Sequence, residues 1–507
     1  MVVIPPEETL FQYNLYFGVR LPLSENSELR NNADQLNKHD KIFTQQITFL
    51  FNTIKTVEER AGTKNKHGTV RLGISPVGRT VSRQRSLSYH DHLSWRVHLL
   101  EPEALPLLES IRSLEVGYHW EAPFTTIVDE ANYRWAEVKL DYRVMVDLAV
   151  KLPNLEYWGC RFGGNEWSPK AKQEARRYLI QDWAGPRRDT RQDFAKALLS
   201  ARLPGSLRRI RLDFLYDLER STHIDHLTAQ PDMVSPSIND LFSTSLHHLA
   251  HHLQRLHLRV VADETLFQPK DNCTLSWPNL ESLVVVFHMV SPSGQWCFIG
   301  PNGEGRNTAA FKVDDASYPP LETTPYDEDM IDQIDHDGDR RLYIGSQTSR
   351  FRIVPNDTTL RPFLMAFAKA ASNMRALQEA ALWCPVSWVP NDENGDDSRP
   401  EMFSKDCPDT KRVAWGVHYQ ARGELDDTWQ GGNFPTEVPL LWWKVGLWRP
   451  DPELHELFQQ IGGTSWNDSL KEHWEDEYSG KGLVDRSRFE YFMQEEVDMV
   501  GLIPSPR

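Results

Sequence analysis

Trp277-Pro278-Asn279-Leu280-Glu281-Ser282-Leu283-Val284-Val285 is the stretch on which the fold reading turns. A proline-marked turn leads into the pattern Leu280-x-x-Leu283-x-Val285. In an extended chain alternate side chains point to opposite faces, so Leu283 and Val285 face one way and Ser282 and Val284 the other. The pattern recurs upstream as Ile111-x-x-Leu114-x-Val116, Leu155-x-x-Trp158-x-Cys160, Leu207-x-x-Ile210-x-Leu212 and Leu253-x-x-Leu256-x-Leu258. A weaker copy follows at Leu377-x-x-Ala380-x-Leu382, and Val70, Leu72 and Ile74 mark an early strand. This is the signature of a leucine-rich-repeat strand.

Between these strands the apolar period changes to that of a helix. Leu140, Val144 and Leu148 share one helical face, and Phe363, Phe367, Ala370, Ala371 and Met374 share another. Thr190-x-x-Asp193 and Ser237-x-x-Asp240 have capping-box spacing and predict helix starts. Strand starts lie 44, 52, 46 and 27 residues apart, against roughly 20–29 in ordinary leucine-rich repeats. The expected fold is α/β: an irregular leucine-rich-repeat-like solenoid of curved sheet and outer helices, closed by an aromatic-rich C-terminal cap. The alternative is a doubly wound α/β domain with short buried strands.

The predicted organisation has five parts. Residues 1–64 form an N-terminal segment, 65–300 the solenoid, 301–359 an acidic insertion, 360–460 the last repeat with a Trp-rich cap, and 461–507 a tail. The cap is expected around Trp415, Trp442, Trp443 and Trp448. Their use as a ligand groove is the competing reading.

Charge separates the two ends of the chain. Residues 1–300 hold 35 Lys+Arg and 35 Asp+Glu, so the net −16 of the 507 residues falls entirely in residues 301–507. Nucleic-acid binding needs a positive footprint, which this distribution lacks. The longest apolar stretch, Leu283 to Val290, is far short of the roughly 20 residues of a membrane span. Cys160, Cys273, Cys297, Cys384 and Cys407 are odd in number and without C-x-x-C spacing. That usage points to a reducing interior, cytoplasm or nucleus.

Motifs for chemistry are sparse. His247, His248, His251 and His252 give His-x-x-x-His spacing but interleave with Leu246, Leu249 and Leu253, so they read as a polar helix face rather than a metal site. Asp335-His336-Asp337-Gly338-Asp339 resembles a calcium loop with its glycine one step early. Gly300-Pro301-Asn302-Gly303-Glu304-Gly305 reads as a turn, since Glu304 would repel a phosphate. No metal, cofactor or catalytic residue is expected.

The strings Ile42-Phe43-Thr44-Gln45 through Leu50-Phe51, Trp277 through Leu283 and Phe363 through Leu382 resemble an abundant family of filamentous-fungal F-box proteins. That resemblance implies an N-terminal F-box, a leucine-rich-repeat-like body and a target-recognition role in an SCF-type ubiquitin ligase. Ile4-Pro5-Pro6-Glu7 mimics the F-box opening, but Leu21-Pro22 and the polar run from Ser24 to Asn37 depart from its later helices. The F-box is therefore read as missing or degenerate, which puts docking to the SCF adaptor subunit in doubt. The expected function is a non-enzymatic protein–protein interaction module; the alternative is a small-ligand binder or enzyme built on the Trp-rich region. The partner-binding candidates are the outward strand positions Glu156, Arg208, Arg209, Arg211, His257 and Arg259, and the acidic loop residues Asp327, Glu328, Asp329, Asp335, Asp337 and Asp339. That loop is expected to be solvated, to attract a basic target, and to contribute little to stability.

Overall fold

A computed structural model describes residues 12–21, 30, 32–62, 69–77, 79–80, 95–117, 135–136, 139–167, 178, 182–216, 218–268, 277–336, 349–389, 410–423, 438–462, 470–474 and 483–489. Expectations placed on Cys273, Asp337, Asp339, Cys407 and the polar loop from Asn391 lie outside these residues. The principal strands are β1 (Gln12–Arg20), β2 (Thr69–Val77), β3 (Ile111–Gly117), β4 (Tyr157–Gly163), β5 (Arg209–Tyr216), β6 (Arg255–Val260), β7 (Ser282–Phe287), β8 (Glu379–Val386), β9 (Val413–Gln420), β10 (Leu440–Lys444), β11 (Lys471–Trp474) and β12 (Val484–Asp485). The helices used below are α1 (Ala33–Ala61), α2 (Arg143–Ala149), α3 (Ala184–Ser200), α4 (Leu241–Leu249), α5 (Pro325–His336), α6 (Asp357–Ser372) and α7 (Pro452–Gln459).

The chain divides into two compact units. The first comprises Met1–Asp217, Met233–Ser237 and Lys312–Ser346, and the second Leu218–Asp232, Ile238–Phe311 and Gln347–Arg507. In the first unit β1 to β5 pair in sequence order and all in parallel. Helix α1 opens with a capping box between Asn32 and Gln35 and buries Phe43, Ile47, Leu50, Phe51 and Ile54 along one stripe. It stops at Gly62, whose positive φ of 56° suits a residue without a Cβ. In the second unit β6, β7 and β8 run parallel, β9 and β10 continue the sheet antiparallel, and β11 pairs parallel with β10. Asp240 caps α4 and Asp451 caps α7, each accepting a backbone N–H three residues on.

Every apolar position of the repeated pattern is buried, from Ile111 to Leu382. The solenoid itself is not formed. Each unit is α/β, built on an open, mostly parallel sheet, and two features overturn the leucine-rich-repeat reading. First, a solenoid strand leaves its concave residues to solvent, whereas all six residues of β7 and Ala380–Val386 of β8 are buried, odd and even positions alike. Burial on both faces is the habit of parallel α/β sheets. Second, the Trp-rich segment is not an appended cap. It supplies β9 and β10, with Trp415 and Trp443 fully buried in the core.

Both capping signals were misplaced. Helix α3 begins at Ala184, and Thr190 lies inside it, its hydroxyl accepting the Tyr142 N–H at 2.8 Å. For α4 the cap is Asp240 itself, not Ser237. The stretch 301–359 is divided between the two units and carries α5.

Candidate functional site

Register decides which polar side chains meet on a sheet. In the first unit Arg71, Ser113, Tyr157 and Arg209 form one row across β2 to β5, and Gly73, Glu115, Gly159 and Arg211 form the next. Glycines on both sides of Glu115 leave its carboxylate open to diagonal arginines. Arg71 Nη2 and Arg161 Nη2 each reach it at 2.9 Å. Burial pushes the Glu115 carboxyl up. Arg161 and Arg71, with Arg211 beyond, outweigh that and hold it below the usual carboxylate range.

The second unit carries the corresponding rows. Arg255, Ser282, Glu379 and Gln420 share one, and His257, Val284, Ala381, His418, Trp442 and His473 share the next. Three of these side chains form a hydrogen-bonded chain across β6 to β8, and His418 of β9 lies at ion-pair distance from its end. His257 Nε2 lies 3.1 Å from Ser282 Oγ, Ser282 Oγ donates to Glu379 Oε2 at 3.2 Å, and His418 Nε2 lies 3.5 Å from Glu379 Oε1. A serine hydroxyl has one proton. With that proton given to Glu379, the bond to His257 needs Nε2–H as its donor. Burial raises the Glu379 carboxyl, but His418, His257 and Ser282 together bring it below its ordinary value, so it stays ionised. The arrangement presents an oriented carboxylate. The ring nitrogen that faces Ser282 is donor or acceptor according to the tautomer of His257.

The structure separates the expected partner-binding residues. Arg209 and Arg211 lie in the polar rows of the first unit, and His257 and Arg259 on the matching face of β6. Glu156 and Arg208 precede their strands. Glu156 pairs with Arg112 at 3.3 Å, and Arg208 is exposed, donating to the carbonyls of Gly205 and Leu207 in its own turn.

Asp327 corrects the picture of a solvated acidic loop. Its side chain is 0% exposed and receives Arg30 Nη2 at 2.7 Å, whereas Glu328 and Asp329 are exposed. The backbone of Asp335 belongs to α5.

Glu115, Arg161, Ser282, Glu379 and His418 escaped the sequence reading. For Ser282 and Glu379 the signal is positional. Ser113, Tyr157, Arg209, Arg255, Ser282 and Glu379 all occupy the second x of the L-x-x-L-x-L copies, so the motif carries a polar row between its leucines.

The other candidates resolve into structure. His247 is buried and bonds Leu266 O through Nδ1 at 3.0 Å, and among the described residues no three His, Cys, Asp or Glu side chains gather as a metal site. Cys160, Cys297 and Cys384 are buried, and burial raises all three thiols, Cys297 to about 12. Trp442 is buried too, with His473 stacked on it at 4.2 Å between centroids. Among the described residues no helix is long and apolar enough to cross a membrane. Compared with known proteins, the sequence matches no family model and no curated protein.

Proposed function

We propose that this chain is a non-enzymatic protein–protein interaction module, the role that its resemblance to the recognition part of fungal F-box proteins implies. One observation carries the reading: His257, Ser282, Glu379 and His418 stand side by side on four neighbouring strands, with Ser282 Oγ within hydrogen-bond distance of both His257 Nε2 and Glu379 Oε2. Polar groups tied to one another on rigid strands make a preorganised recognition surface, because little side-chain freedom is lost on binding. The Arg71–Glu115–Arg161 cluster supports the same reading. Affinity capture with the full chain tests it. The expected result is a protein partner whose recovery falls on Arg208→Glu, since Arg208 is exposed at a strand entrance. Recovery of a small SCF adaptor subunit alongside would add the ubiquitin-ligase role, and its absence would leave a bare recognition module. Hydrolysis of an ester or peptide probe that disappears with Ser282→Ala would contradict the proposal.

A further inference from the structure

Natural proteins blunt the outer edges of their sheets with short strands and charges, because an open edge invites another strand. The second unit follows that habit. Its end strand, β11, is four residues long and opens with Lys471-Glu472. The first unit does not. Its end strand, β1, runs nine residues, roughly 30 Å at about 3.3 Å per residue. From Gln12 to Val19 it carries neither a charge nor a proline. One edge of β1 pairs with β2 along its whole length, and among the described residues no strand pairs with the other. Asn14, Leu15, Tyr16 and Gly18 are exposed, Leu15 by 36% and Tyr16 by 44%. Alternation puts Leu15 and Phe17 on one face of the strand and Asn14, Tyr16 and Gly18 on the other. That pattern is complementary to itself. In an antiparallel pair centred on Tyr16, Leu15 meets Phe17 of the second copy, Asn14 meets Gly18, and Tyr16 meets Tyr16, with no like charges opposed.

We infer that β1 is a homodimer edge: two copies of this chain pair β1 to β1, antiparallel, across a two-fold axis at Tyr16. The occupant is a second copy because the edge accepts only an extended segment with matching alternation. β1 itself is such a segment, already held extended by β2, so it loses little chain freedom on pairing. Two-fold pairing uses up the edge on both copies, so the assembly closes at two. This inference is independent of what the recognition surface of the chain binds.

Sedimentation velocity of the full chain over about 1–100 μM tests it. The parent is expected to pass from monomer to dimer, with no larger species. Tyr16→Lys sets two ammonium groups opposite each other at the axis and should weaken self-association about 100-fold; Tyr16→Glu should do the same with two carboxylates. Mixing the two variants puts opposite charges face to face and should restore the dimer. Phe49→Lys is the control, an apolar residue of α1 that is 68% exposed, and it should associate like the parent. A parent that stays monomeric, assemblies beyond two, or a Tyr16→Lys variant as dimeric as the parent would overturn the inference. So would a mixture that stays monomeric, or dissociation by Phe49→Lys. Thermal melting checks that each variant folds. If Tyr16→Lys does not, Tyr16→Thr keeps a strand-forming residue while removing the ring at the axis. It is expected to weaken the dimer about tenfold, and unchanged affinity there counts against β1 as the interface.

Discussion

Asp327→Ala is expected to destabilise the protein by about 3–5 kcal/mol, the cost of leaving a buried charge without its partner. Arg30 and Asp327 are 4% and 0% exposed, with Arg30 Nε and Nη2 both donating to Asp327 Oδ1, at 3.1 and 2.7 Å. The other oxygen, Oδ2, accepts the Thr324 N–H at 2.8 Å, while the Asp327 N–H donates to Thr324 Oγ1 at 3.1 Å. That reciprocal pair is a capping box at the start of α5, with Pro325 in the first helical position. Burial raises the Asp327 carboxyl, but Arg30 and Thr324 outweigh it and hold the carboxyl below its ordinary range. Chemical denaturation of Asp327→Ala, Arg30→Met and the double variant Arg30→Met/Asp327→Leu checks the pair. The double variant should cost less than either single one, since it removes both charges. A single Asp327→Ala within 1 kcal/mol of the parent would return the carboxylate to solvent.

Asp263 is expected to give the protein an unusual pH dependence. It caps a short 3-10 turn, Glu264–Leu266, accepting the Thr265 N–H at 3.0 Å. Its own N–H donates to Ser243 Oγ, which in turn donates to Asp240 Oδ2 at 2.6 Å. Burial first, then the nearby Asp240 charge, push its carboxyl from 3.8 up to about 7. Between those values the folded protein holds a proton that the unfolded chain has released. This contribution is therefore complete below about pH 4 and is lost as pH rises toward about 7, at up to about 1.4 kcal/mol per pH unit. Asparagine can still accept the Thr265 bond, so Asp263→Asn should fold. The stability of the parent relative to Asp263→Asn should fall steadily from pH 4 to pH 7 and level off above. A difference that does not change with pH would show that Asp263 ionises normally.

The apolar half of this fold was legible because period-2 alternation survives in each copy: Leu283, Val285, Leu256 and Leu258 are buried as the pattern requires. What covers the other face was not. The pattern records which side chains share a face and is silent on what packs there, so β7, buried on both faces, read as half-exposed. The Trp-rich strands β9 and β10 run antiparallel and lack the L-x-x-L signature, and so looked like a separate cap. Asp327 was hidden in a charge run because its partner lies 297 residues away. His257, Ser282, Glu379 and His418 stand in four different strands, and only register brings them together. The copy that holds Glu379 is also the weakest, with Ala380 in place of a leucine.

The most direct measurement is the protonation of His257, read from long-range proton–nitrogen correlation spectra of the histidine-labelled protein, assigned with His257→Asn. A recognition surface in which Ser282 gives its proton to Glu379 requires His257 to carry hydrogen on Nε2. An Nδ1–H tautomer with a bare Nε2 accepting from Ser282 would contradict it. Ser282 would then be a serine paired with a general base, and the chain would have to be sought among enzymes.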